Sequence, residues 1–196
     1  MTIIRDGAGK GNQLKIDANN RAHTQTVSET EALQSTEQGN AYNVNTGLIS
    51  ITGDATLCYI KNNEDRDLVI EAIALGSFEG ITHSDDPYIT IKRNPTGGDL
   101  ISDATAVSMN ANRNFGSNKT LSANVYKGKV GGTITGGDDA AILQVNPATR
   151  SFYSIDFILP KGSSMAIDLT ANVSSGTANY YAAIICHLKD PEGSDL

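Results

Sequence analysis

Two short apolar runs set the pattern of the chain. Thr56-Leu57-Cys58-Tyr59-Ile60 and Leu68-Val69-Ile70-Glu71-Ala72-Ile73 are made almost wholly of β-branched, aromatic and aliphatic residues. A polar stretch rich in turn formers, Lys61 to Asp67, separates them. This predicts two strands joined as a β-hairpin with a solvated loop. Both runs are apolar on both faces, so both faces need cover and the rest of the chain must supply a second layer.

The remainder supplies more strands. Leu48 to Thr52 precedes the pair, and Tyr88 to Lys92 alternates with Ile89 and Ile91 on one face until Asn94-Pro95-Thr96-Gly97-Gly98 stops it. Residues 99 to 139 are poor in apolar side chains and hold only short candidates, Ala104 to Met109 and Leu121 to Tyr126. The pattern returns at Ala141 to Val145. Tyr153, Ile155, Phe157 and Leu159 then share a face, and after the turn Pro160 to Ser163 so do Met165, Ile167 and Leu169. Tyr180 to Leu188 is apolar on both faces, which predicts a central strand. Eight to ten strands without internal repeat predict an all-β, antiparallel two-sheet sandwich of jelly-roll type over 41–196, with an immunoglobulin-like Greek key as the alternative.

Residues 1–40 differ. They predict an extended N-terminal arm holding one short strand candidate, Leu14 to Asp17, a weak alternation from His23 to Val27, and one helix. Ser28 and Glu31 form a capping box, Val27 and Ala32 a hydrophobic staple, and Gly39 a stop. The helix would offer only Ala32 and Leu33 to a partner, too little to fold alone. The arm is therefore expected to pack on its own body, a sister subunit or a larger assembly.

Composition narrows the function. Of 196 residues 15 are basic and 22 acidic, net charge −7, with no Lys/Arg run, so nucleic-acid binding is not expected. No window approaches a membrane span and the start lacks an apolar stretch of signal-peptide length, so a soluble product of the cytosol is expected. Cys58 and Cys186 both fall in predicted strands and read as small buried hydrophobes.

No catalytic set emerges. Gly7-Ala8-Gly9-Lys10-Gly11 has the lysine of a phosphate-binding loop but not the Ser/Thr after it, nor the glycine spacing, nor a preceding strand. His23, His83 and His187 stand at no metal-ligand spacing, and neighbours on a strand such as Cys186 and His187 point to opposite faces. Of the acidic clusters Glu64-Asp65, Asp85-Asp86 and Asp138-Asp139, the last lies in a Gly-rich stretch that could offer calcium some of its oxygens. Solvated turn residues are the competing reading. No catalytic, cofactor-binding or metal residue is assigned, no cofactor is expected, and an enzyme is not expected. A carbohydrate- or receptor-binding module would need an exposed aromatic patch, with Tyr88, Tyr126, Tyr180 and Tyr181 as candidates.

Several phrases, in order along nearly the whole chain, resemble a group of tailed-bacteriophage virion proteins. They are Asp6-Gly7, Lys15 to Arg21, Ala41 to Gly47, Lys61 to Ile70, Asn112 to Ser117, Leu159 to Ser164 and Cys186 to Pro191. The resemblance implies a structural virion protein without catalytic residues, placed as a decoration or cement protein on the capsid surface after synthesis in the host cytoplasm. The partners it implies are the major capsid protein and further copies of the chain, as a trimer or dimer. A head-fibre or tail component is the alternative position.

Overall fold

The computed structural model describes residues 15–16, 22–23, 30–78, 81–99, 105–106, 111–128, 131–146 and 150–189. In chain order these form β1 (Lys15–Ile16), β2 (Ala22–His23), α1 (Glu31–Glu37), β3 (Ala41–Asn45), β4 (Ile49–Ile51), β5 (Ala55–Asn62) and β6 (Leu68–Phe78). There follow β7 (Ile81–His83), β8 (Tyr88–Arg93), β9 (Gly97–Gly98), β10 (Thr105–Ala106), β11 (Ala123–Lys127) and β12 (Ile134–Thr135). The last five are β13 (Asp138–Gln144), β14 (Arg150–Leu159), β15 (Ser164–Thr170), β16 (Val173–Gly176) and β17 (Ala178–Leu188).

Two antiparallel sheets carry the architecture. One has the order β10-β11-β5-β15-β8-β13, the other β14-β6-β17-β3, with β4 also paired to β17. Take β3, β5, β6, β8, β13, β14, β15 and β17 as eight successive strands. The first pairs the eighth, the second the seventh, the third the sixth and the fourth the fifth. A chain paired in this way is one long antiparallel ribbon rolled around a common axis, which is the jelly roll. The predicted fold class is therefore what the chain adopts.

One expected pairing is not. β5 and β6 form no hairpin: β5 lies between β11 and β15, and β6 lies between β14 and β17. The polar connection crosses from one sheet to the other. Asn62, wholly buried at the end of β5, directs the crossing. Its Nδ2 donates to the carbonyls of Arg66 and Leu159 at 2.9 and 2.8 Å, and its Oδ1 accepts from the amide of Glu64 at 2.9 Å.

The space between the sheets is filled by Cys58, Ile60, Ile89, Ile91, Ile167 and Leu169 from one and by Val44, Ile70, Ile73, Leu75, Ile184 and Cys186 from the other. Ile89 and Ile91 point inward as the alternation predicts, as do Met165, Ile167 and Leu169. β17 is central in its sheet, also as predicted. Between Cys58 and Thr56 the register against β15 shifts by one, which leaves Leu57 as an extra residue and lets it enter the core beside Cys58. The other face of β5 is covered as well. Tyr59 stacks on Tyr126 with ring centroids 6.1 Å apart, and Ile134, from the small β9–β12 ribbon, packs beside Ala166.

Helix α1 differs from its prediction in two details. Its N-cap is Thr30, whose hydroxyl accepts from the Leu33 amide, rather than the expected Ser28. Its buried residue is Ser35, hydrogen-bonded to the Leu188 carbonyl, while Leu33 stays half exposed. Gly39, at φ +73°, ends the helix as expected. Thr30 to Asn40 thus rests on β3 and β17 of the same chain. Ahead of it, β1 and β2 pair with each other. The Gly7–Gly11 motif, Ser28 and the first phage-like phrase lie outside the described residues.

Candidate functional site

The titratable side chains singled out from sequence are dispersed. His83 Nδ1 lies 2.8 Å from the Ala171 carbonyl. His187 is buried on the face of β17 opposite Cys186, with Nδ1 2.9 Å from Glu71 Oε1. The same Glu71 oxygen accepts from Arg113 at 2.9 Å, so one carboxylate ties β6, β17 and the 111–120 loop together. Glu71 can do so because it is the extra residue where the β6–β17 register shifts, between the Ile70–Cys186 and Ala72–Ile185 pairs.

Asp138 and Asp139 are not in a loop. They begin β13, where cross-strand pairing sets them opposite Arg93 and Lys92, and they form ion pairs with those residues at 2.5 and 2.7 Å. Each carboxylate is thus matched by a cation on the neighbouring strand rather than presented from a Gly-rich loop. Asp86 is engaged by Gln144 and sits beside Asp85, whose carboxylate accepts its amide. Among the described residues no three His, Cys, Asp or Glu side chains converge on a metal position. Burial pushes both thiols up to about 12, so Cys58 and Cys186 are uncharged core residues that form no disulfide.

The four candidate tyrosines do not share a surface. Tyr180 is wholly buried, Tyr126 stacks on Tyr59, Tyr181 covers Gly76 on the neighbouring strand of its own sheet, and Tyr88 stands on β8. These four do not form the shared patch that a carbohydrate-binding module would need, because successive residues of β17 face opposite ways and the other two belong to the other sheet.

Three surface features do stand out. The first is the outer face of the five-stranded sheet, where Phe152, Ala74 and Ala183 lie in one cross-strand row and Tyr181 lies over Gly76 in the next. Phe152 and Phe78 are largely exposed on this face. Solvated sheet faces normally carry polar side chains, so this one is unusual.

The second is the 111–120 loop. It runs beside β3, with the Asn43 amide donating to the Ala111 carbonyl and the Arg113 amide to the Ala41 carbonyl. Asn112 Nδ2 donates to the Gly39 and Lys119 carbonyls at 2.8 and 3.1 Å. Its Oδ1 accepts from the Asn114 amide, and Asn114 Nδ2 reaches the Glu37 carbonyl at the end of α1. These bonds fix the loop's tip, which holds Phe115 at 99% exposure.

The third is a cleft of about 460 Å³ between the free edges of β13 and β14, floored by Ile91, Phe157, Leu159 and Met165 and rimmed by Ala140 and Ile158. Periodicity did not reveal the last two features. In the hydrophobic pattern the loop leaves one trace, a Phe isolated among polar residues and glycine; otherwise it shows only as the virion-like phrase Asn112 to Ser117.

No protein-family model matches the chain, and no curated protein sequence does. Among solved structures, the Yersinia pseudotuberculosis-derived mitogen is similar at 15% identity and TM-score 0.36, covering 79% of this chain and 93% of that one. The cyanophage Pam1 capsid asymmetric unit is similar at 14% identity and TM-score 0.28, covering 86% of this chain and 94% of that one.

Proposed function

We propose that the chain is a structural protein of a tailed-phage particle, a decoration or cement protein that seats on the outer capsid surface and does no catalysis. The virion-like phrases spaced along the chain support the reading. The observation that carries it is the apolar outer face of the five-stranded sheet. Phe78, Phe152 and Tyr181 stand there around a floor of Ala72, Ala74, Gly76 and Ala183. Phe78 and Phe152 stay largely exposed over that floor, and large exposed apolar patches on soluble domains mark contact surfaces. Binding would bury this face against the capsid, and many equivalent copies would stiffen the shell.

The test is cosedimentation of the purified protein with isolated, genome-expanded capsids of the phage that encodes it. Wild type should pellet with capsids at a fixed stoichiometry, and Phe152→Asp should stay in the supernatant while retaining its melting temperature. Failure of wild type to bind, or undiminished binding of Phe152→Asp, overturns the proposal. Growth of other particle positions, such as a head fibre or tail, would appear as binding to those isolated parts instead.

A further inference from the structure

We propose that Phe115 of one copy seats in the β13–β14 cleft of a second copy, so that the protein associates head to tail. The topology puts the two features on opposite lateral edges of the sandwich. The loop bearing Phe115 lies along β3, the last strand of its sheet, and leads into β11 near the end of the other. The cleft opens between β14 and β13, the strands at the far edges of the same two sheets. Three strand spacings of about 4.8 Å, roughly 14 Å, separate β3 from β14, so Phe115 does not fill its own cleft. A knob and a socket on opposite edges of one molecule can meet only between molecules.

Size and charge agree with this occupant. A cleft of about 460 Å³ falls within the range of roughly 300–1,000 Å³ that accepts compact organic groups, so it takes a phenyl ring and its flanking backbone. The tip, Asn114-Phe115-Gly116-Ser117-Asn118, is uncharged. At the cleft, Lys92 and Arg93 are already paired with Asp139 and Asp138. Two copies of a chain with net charge −7 repel on average, and a contact between an uncharged tip and a charge-balanced socket avoids that repulsion. Ile158, 54% exposed at the rim, would be covered in the same event. The loop is held by Asn112, Asn114 and the Arg113–Glu71 pair before binding, so little ordering entropy opposes insertion of an aromatic anchor. Because socket and knob differ, each contact leaves one of each free, and repetition gives a closed ring or an open chain rather than an isolated two-fold dimer.

Sedimentation velocity on the full chain tests this. Wild type should associate with rising concentration, whereas Phe115→Asp, lacking the knob, and Ile158→Asp, lacking the socket, should each shift the midpoint at least tenfold. Both positions are exposed, and unchanged melting temperatures will show that the variants fold. A mixture of the two retains one intact knob and one intact socket, so it should form a one-to-one dimer that grows no further. The chain has no Trp, so Phe115→Trp adds a single reporter. Its emission should shift to the blue as association proceeds, and the shift should vanish when Ile158→Asp is added to the same chain. A monomeric wild type, unchanged association of Phe115→Asp, an inert mixture, or a blue shift that survives Ile158→Asp would each overturn the proposal. Capsid attachment through Phe152 is read separately, so either proposal can fail without the other.

Discussion

Replacing Asn62 by Ala removes the side chain that turns the chain from one sheet to the other. Three hydrogen bonds go with it, to the Arg66 and Leu159 carbonyls and from the Glu64 amide. At about 1 kcal/mol net for each, their loss costs about 3 kcal/mol. The bond to Leu159 is buried, so its carbonyl is left without that donor, at a further cost of about 1–2 kcal/mol unless water enters. The expected destabilisation is therefore about 3–5 kcal/mol. Urea titration followed by far-ultraviolet circular dichroism measures it. With a slope near 2–3 kcal/mol per M, the midpoint should fall by roughly 1–2 M with little change in slope. Asp65→Ala, three residues on, is the internal control. Asp65 is exposed and its pairing with Lys161 lies in solvent, so its loss should leave the midpoint where it was. If Asn62→Ala left the midpoint as unchanged as Asp65→Ala, a solvated hairpin loop would describe this segment better than a buried crossing.

Two further variants probe the six-stranded sheet. Burial raises the Asp168 carboxyl above its ordinary range, against the hydrogen bond from Thr56 and the charge of Lys92, which lower it. The folded state then holds its proton to higher pH than the unfolded chain. Stability is therefore lost as pH rises from the unfolded value through the folded one, and the loss persists at neutral pH. Asp168→Asn should consequently raise the melting temperature by about a degree or two at pH 7, with the gain disappearing below about pH 4. A lower melting temperature at pH 7 would contradict this. At Gly128 an added Cβ would fall 1.2 Å from the Thr56 carbonyl oxygen, where β11 closes on β5. Gly128→Ala must push these strands apart, so thermal unfolding of this variant should come at least several degrees early. An unchanged melting temperature would show that β11 can shift freely.

The strands were legible where alternation is strict. Ile89 and Ile91, then Met165, Ile167 and Leu169, and the two-faced run Tyr180 to Leu188 all take the positions their periodicity assigns. Pairing was less legible, because the ladder partners of β5 and β6 come from residues 123–127, 150–159, 164–170 and 178–188. A local reading joins neighbours in sequence, and here the polar link between them hid a buried asparagine that spans the sheets. Register shifts at Leu57 and Glu71 are also invisible to a period of two, although one fills the core and the other creates the Arg113–Glu71–His187 cluster. Asp138 and Asp139 looked like loop acids because Gly136 and Gly137 precede them; cross-strand Arg93 and Lys92 make them strand residues. Phe115 escaped because exposure of one side chain depends on how its loop is tied down, which here involves carbonyls of Gly39 and Glu37 far back in the chain.

The rolled ribbon also sets the order in which the protein can be completed during synthesis. β17 lies between β3 and β6 and hydrogen-bonds to both, yet it is the last of the described strands to be made. β6 ends at Phe78 and β17 begins at Ala178, so about 100 residues must follow before the gap is filled. At a ribosomal rate of roughly 5–20 residues per second, that interval is about 5–20 s. Throughout it, the edges of β3 and β6 that face β17 stay unpaired, and until β14 is made the other edge of β6 does too, beside a bare apolar face. The nascent chain is at greatest risk of joining another chain in that period, and a premature stop before β17 leaves a product with no way to close its core.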